Sequence, residues 1–124
     1  MFDALPILIV EDDPIIAMCL AEVVSDFNGR VVGPMATVRE AMEVLDQREI
    51  AAAILDAKLL DQEITPVALR LASAGIPLVV HSGTGLPAEV AAKWPDLPVL
   101  MKPMPAHQVV ERLGLEMQKS RRSG

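Results

Sequence analysis

Five short apolar runs alternate along this chain with longer segments of helical spacing, and that alternation leaves few folds open. The runs are Pro6–Val10, Arg30–Pro34, Ala51–Asp56, Pro77–Ser82 and Pro98–Met101. The first, third and fourth are apolar without polar alternation, as strands covered by helices on both faces are. They are expected to be central. Between the runs, Ile15–Val24 follows Pro14, a residue suited to a first helical turn. Thr37 is placed to cap the next helix, with Glu40 three residues on completing a capping box. A third helix is expected from about Glu63 to Ala74, with Pro66 in its opening turn and Gly75 as its stop. A short fourth spans Pro87–Trp94. Pro105 opens the fifth, which carries Val109, Val110, Leu113 and Leu115 on one face until Gly114 weakens it. The pattern implies an α/β fold, an open five-stranded parallel sheet with helices on both faces.

Composition removes several classes of function. At 124 residues the chain suits one domain. Hydrophobic content is 52%, but it comes in short runs and no stretch reaches bilayer length. The start, Met1-Phe2-Asp3-Ala4, lacks the basic and apolar regions of a secretory signal, so a cytoplasmic location and no membrane association are expected. The single Cys19 cannot form an internal disulfide; it and the seven Met residues read as core filling. A net charge of −6 opposes attraction to a phosphate backbone, and two Phe with one Trp offer little surface for base stacking. No nucleic-acid partner is expected.

In open α/β sheets ligands bind outside the carboxyl ends of the strands. The chemically capable residues fall there: Glu11, Asp12 and Asp13 after the first run, Asp56 at the end of the third, Ser82 at the end of the fourth, Lys102 just past the fifth. Carboxylates gathered at one edge raise one another's pKa unless a cation neutralises them, so the cluster suggests a metal site. Oxygen ligands favour Mg²⁺, Mn²⁺ or Ca²⁺, and Mg²⁺ leaves room for a phosphate among its ligands. Each residue alone has a plainer role. The acidic run could complement a helix dipole, Asp56 could be a turn residue, and Ser82-Gly83 could be an ordinary strand end. His81 reads as a strand residue and His107 as a solvated one.

Together, Ile7-Leu-Ile-Val-Glu-Asp-Asp13, Ile54-Leu-Asp56, Val79-Val-His-Ser-Gly83 and Leu100-Met-Lys-Pro103 resemble the receiver domain of bacterial two-component response regulators, in order and spacing over essentially the whole chain. The resemblance implies a flavodoxin-like sheet of order 2-1-3-4-5 with five helices, in a stand-alone domain spanning 1–118 with a flexible tail at 119–124. It makes Asp56 the phosphoryl acceptor and assigns Glu11 and Asp12 to an Mg²⁺ (or Mn²⁺) site, with Asp56 and the backbone carbonyl of Lys58 as further ligands. Ser82 would contact the phosphoryl group beside the small Gly83, and Lys102 would neutralise one of its oxygens. A cis bond before Pro103 would hold Lys102 at the mouth. The implied donor is a phosphohistidine on a sensor histidine kinase or phosphotransfer protein, and the output is a changed surface for a downstream protein, in a monomer or weak dimer.

Departures from the family pattern narrow what carries over. Val99 stands where many receivers have an aromatic switch residue, and the chain has no Tyr. The loop after Asp56, Ala57-Lys-Leu-Leu-Asp-Gln-Glu63, lacks the usual Pro and Gly. Lys58 and Thr84 flank the family's route of attacking water and are expected to tune phosphoryl lifetime. The leading reading is a phosphorylatable signalling module, modified itself and so not a turnover enzyme. A pseudo-receiver that binds partners without phosphorylation is the alternative. An aspartyl phosphohydrolase is disfavoured, because no second carboxylate stands two residues past Asp56.

Overall fold

The computed structural model describes residues 1–123. Strands β1 (Pro6–Val10), β2 (Arg30–Met35), β3 (Ala52–Leu55), β4 (Leu78–Ser82) and β5 (Val99–Met101) alternate with helices α1 (Pro14–Asp26), α2 (Val38–Gln47), α3 (Thr65–Ser73), α4 (Ala88–Lys93) and α5 (Ala106–Ser123). All strand pairs are parallel, in the order β2-β1-β3-β4-β5. This is the flavodoxin-like arrangement that the resemblance implies.

The central strands are buried on both faces, as their unbroken apolar runs require. Period-two alternation divides their side chains between two cores. Leu8, Val10, Ala53, Leu55, Leu78 and Val80 pack towards α2 and α3. Ile7, Ile9, Ala52, Ile54 and Val79 pack with Leu20 and Val24 of α1 and with Val109, Val110, Leu113 and Met117 of α5.

The helix signals act locally. Asp13 caps α1, its Oδ1 accepting from the amides of Ile15 (2.9 Å) and Ile16 (3.3 Å). The Thr37 hydroxyl accepts from the Glu40 amide at 3.2 Å, while the Glu40 carboxylate accepts from that hydroxyl at 2.9 Å rather than closing a full capping box. Gly75 (φ +73°) stops α3, with the Ile76 amide donating back to Leu71 O at 3.0 Å. Gly33 (φ +101°) marks the register shift between β1 and β2; a Cβ there would stand 2.9 Å from Ile9 O. Beyond the shift, Met35 O accepts the Glu11 amide at 2.8 Å and so fixes the end of β1.

α5 continues unbroken past Gly114 to Ser123, which gives residues 119–123 helical backbone. Two expectations about side chains are corrected. Gly114 is buried under Met1, and Met117 extends the apolar stripe past it. Leu115 is 53% exposed, off that stripe. Cys19 and three of the seven methionines are not core filling: Cys19, Met1, Met18 and Met101 are exposed, whereas Met35, Met42 and Met104 pack half-buried against the two cores and Met117 is buried.

Candidate functional site

The carboxyl ends of β1, β3, β4 and β5 meet at one rim, and the backbone holds them in register. The Asp56 amide donates to Val10 O at 2.8 Å, and the Lys102 amide donates to Ser82 O at 2.8 Å. Carboxylate oxygens of Glu11, Asp12 and Asp56 lie within 4.8 Å of one another. Glu11 and Asp56 are buried, Asp12 is half-buried, and Asp13 is turned away into its capping role. The acidic run therefore does both things its composition allows: one residue serves the helix end and two serve the rim.

Lys102 Nζ reaches into the cluster, donating to Asp56 Oδ2 at 3.1 Å and pairing with Glu11 Oε1 at 3.1 Å. Burial lowers the Lys102 pKa, but the contacts with Asp56 and Glu11 outweigh it and hold the ammonium above its ordinary value. Burial, then the hydrogen bond and repulsion from Asp56, push Glu11 up to about 7 against the opposing pull of the Asp13 amide and Lys102. His81, buried behind the rim, is lowered by desolvation and by the Lys102 charge.

One ammonium against three carboxyl groups leaves the rim short of positive charge. Glu11 Oε1 is buried without a well-formed hydrogen bond, its contact with Lys102 being an ion pair only. An oxygen donor set with one buried, unsatisfied oxygen fits a hard divalent cation. Among the described residues this is the one cluster of three such side chains.

The other predicted residues take distinct places. The Lys58 amide lies 3.4 Å from Asp56 Oδ1, while its side chain is exposed. The Ser82 hydroxyl is buried and engaged with its own loop: it accepts from the amides of Thr84 (2.9 Å) and Gly85 (3.1 Å), and lies 3.3 Å from Thr84 Oγ1. A Cβ on Gly83 would meet nothing within 4 Å, so the space beside Ser82 is open. The Lys102–Pro103 bond is cis. Val99 is half-buried on β5, paired with Val80. His81 is a β4 residue and His107 is exposed, both as expected.

Sequence reasoning missed Asp61. Its two carboxylate oxygens accept from the amides of Val38 (2.9 Å) and Arg39 (3.1 Å), so the loop that follows Asp56 caps α2. The Val38 amide, more than the other contacts, holds its pKa below the ordinary carboxylate range. An Asp in a loop signals a local turn, and nothing local marks a cap reaching across 23 residues.

No protein-family model and no curated protein matches the chain. Solved structures do. The chain is 34% identical to SdrG from Sphingomonas melonis, covering 95% of this chain and 99% of that one with a TM-score of 0.77. A CheY-like response regulator receiver domain protein from Methanospirillum hungatei superposes with a TM-score of 0.83 at 21% identity, over 96% of this chain and 98% of that one. A response regulator receiver protein from Sinorhizobium medicae gives 0.81 at 22% identity, over 95% and 98%. With this fold and this rim, the chain belongs to the receiver-domain family of two-component response regulators.

Proposed function

We propose that the chain is a phosphoacceptor module in which Asp56 takes a phosphoryl group from a phosphohistidine on a sensor kinase or phosphotransfer protein. The observation that carries this reading is the Lys102 ammonium held 3.1 Å from Asp56 Oδ2 beside two further acidic side chains. An Asp56 oxygen attacks phosphorus, the P–N bond to the donor imidazole breaks, and an acyl phosphate forms. Lys102 is positioned to stabilise charge on a phosphoryl oxygen as the donor leaves. Glu11, Asp12 and Asp56, with the Lys58 carbonyl as a further ligand, would hold Mg²⁺ or Mn²⁺, which supplies countercharge to the acceptor and the incoming oxygens.

The output would run through Ser82. To reach a phosphoryl group on Asp56, its hydroxyl gives up the amides of Thr84 and Gly85, which frees the loop from Gly83 to Gly85 to rearrange. With Val99 in place of an aromatic, that loop carries the change without a ring rotation. A downstream protein would read the altered surface.

Incubation with Mg²⁺ and acetyl phosphate tests the reading by intact mass. The expected result is a single added phosphate on the wild type and none on Asp56→Asn. An unmodified wild type, or an Asp56→Asn variant that still gains the phosphate, overturns it, and the first outcome would favour a phosphorylation-independent binding module.

A further inference from the structure

Between α1 and the segment that follows β5 lies a cavity of about 260 Å³, lined chiefly by Ile16, Cys19, Leu20, His81, Pro103 and Met104. It is separate from the groove beside Glu11 and Asp12 on the other flank of α1. Its wall is apolar except at two groups. His81 projects from β4 towards α1 and α5, is 3% exposed, and neither ring nitrogen has a hydrogen-bond partner. Leaving a buried imidazole unpartnered is costly, and such groups normally find protein, water or a ligand. The second group, Lys102, already spends its ammonium on Glu11 and Asp56.

These features define a ligand by exclusion. An anion would compete with two carboxylates for Lys102, in a chain of net charge −6. A strongly polar molecule would desolvate against the apolar wall with one imidazole to meet it. A neutral imidazole offers one donor and one acceptor. An apolar cavity of about 150 Å³ already holds benzene, so this one has room for one or two rings.

We infer that this cavity binds a compact, neutral, mostly apolar molecule of one or two rings, whose polar group hydrogen-bonds the His81 imidazole once that ring turns its buried nitrogens towards the cavity, while its own rings pack on Ile16, Leu20 and Met104. The inference does not rest on phosphorylation of Asp56, although Lys102 borders both sites. Cys19, exposed and part of the lining, reports on its occupancy.

Indole is a suitable probe, titrated into ¹⁵N-labelled protein while the imidazole nitrogens are followed by NMR. Saturable shifts are expected at His81 and not at exposed His107, together with slower alkylation of Cys19 by iodoacetamide. Cys19→Trp, at an exposed position, is expected to fill the site and abolish the shifts. His81→Leu is expected to weaken indole by about tenfold while leaving toluene binding unchanged, as loss of one hydrogen bond should. The absence of saturable His81 shifts, as in a cavity that holds water alone, overturns the inference. So does indole binding that is equal in the wild type and Cys19→Trp, or equal in the wild type and His81→Leu.

Discussion

Lys102 is shared between two acids, its Nζ lying 3.1 Å from Glu11 Oε1 and 3.1 Å from Asp56 Oδ2. Without it the buried carboxyl groups face one another unscreened, which costs stability and, on the proposed function, removes the cation that would meet a phosphoryl oxygen. Lys102→Met is expected to slow phosphorylation by acetyl phosphate about 10²-fold. It should also lower the Tm of the metal-free protein. Rates followed by intact mass and melts followed by circular dichroism check the two effects separately.

Glu11 sets the pH dependence of the metal-free fold. Its carboxyl holds a proton more tightly in the folded chain, at about 7, than at its ordinary 4.5. The stability tied to that proton is complete below about 4.5 and is lost as pH rises through about 7. At 1.36 kcal/mol per unit the loss is at most about 3 kcal/mol. In EDTA, the Tm of the wild type is expected to fall across this window relative to Glu11→Gln. Parallel curves would exclude Glu11 as the cause.

Divalent cations should reverse that penalty. A ligand that binds only the folded state stabilises it by about 2.7 kcal/mol at a hundredfold excess over Kd. Millimolar Mg²⁺ is therefore expected to raise the Tm and to offset the fall towards pH 7 in the wild type, with a smaller change in the pH dependence of Glu11→Gln. Asp12→Asn, which removes the half-buried and most accessible carboxylate of the cluster, should abolish most of the rise without unfolding the chain. Isothermal calorimetry gives the affinity directly.

The capping contact of Asp61 predicts a local effect. Asp61→Ala removes the acceptor for the Val38 and Arg39 amides, so both should exchange with solvent faster, with a drop of a few degrees in Tm. Because the Asp61 pKa is lowered by folding, its contribution is present above the ordinary value of 3.8 and lost as pH falls below it. Exchange at Val38 that is unchanged by the substitution would contradict the assignment.

What the sequence made legible follows from the physics of each element. The unbroken apolar runs of β1, β3 and β4 are a direct consequence of burial on both faces, and the rim followed from where those runs end. The segment that became α1 is apolar nearly all round, so its periodicity could not say which face turns to solvent. Ile15, Met18 and Cys19 proved to be exposed. In α5, a step of two residues from Leu113 to Leu115 turns roughly 200° about the axis, which takes Leu115 off the stripe that Met117 rejoins. Contacts between distant loops, such as that of Asp61 with α2, leave no periodic trace. Nor does the commitment of Ser82 to its own loop, which depends on how the chain turns after β4.

That commitment gives the last prediction. The Ser82 hydroxyl accepts from two amides, those of Thr84 and Gly85, and donates to Gly85 O at 3.2 Å. Ser82→Ala leaves those groups to water, at a cost of about 1 kcal/mol because Thr84 is exposed and Gly85 half-buried. The loop from Gly83 to Gly85 is then free before any phosphoryl group arrives. In the wild type, phosphorylation should shift the Thr84 and Gly85 amide resonances strongly, as the hydroxyl moves from the loop towards Asp56. In Ser82→Ala those amides should start displaced and respond less, while Ser82→Thr, which keeps the hydroxyl, should restore both the starting positions and the response. Equal phosphorylation shifts in the wild type and Ser82→Ala would mean that the loop is coupled to Asp56 by some other contact.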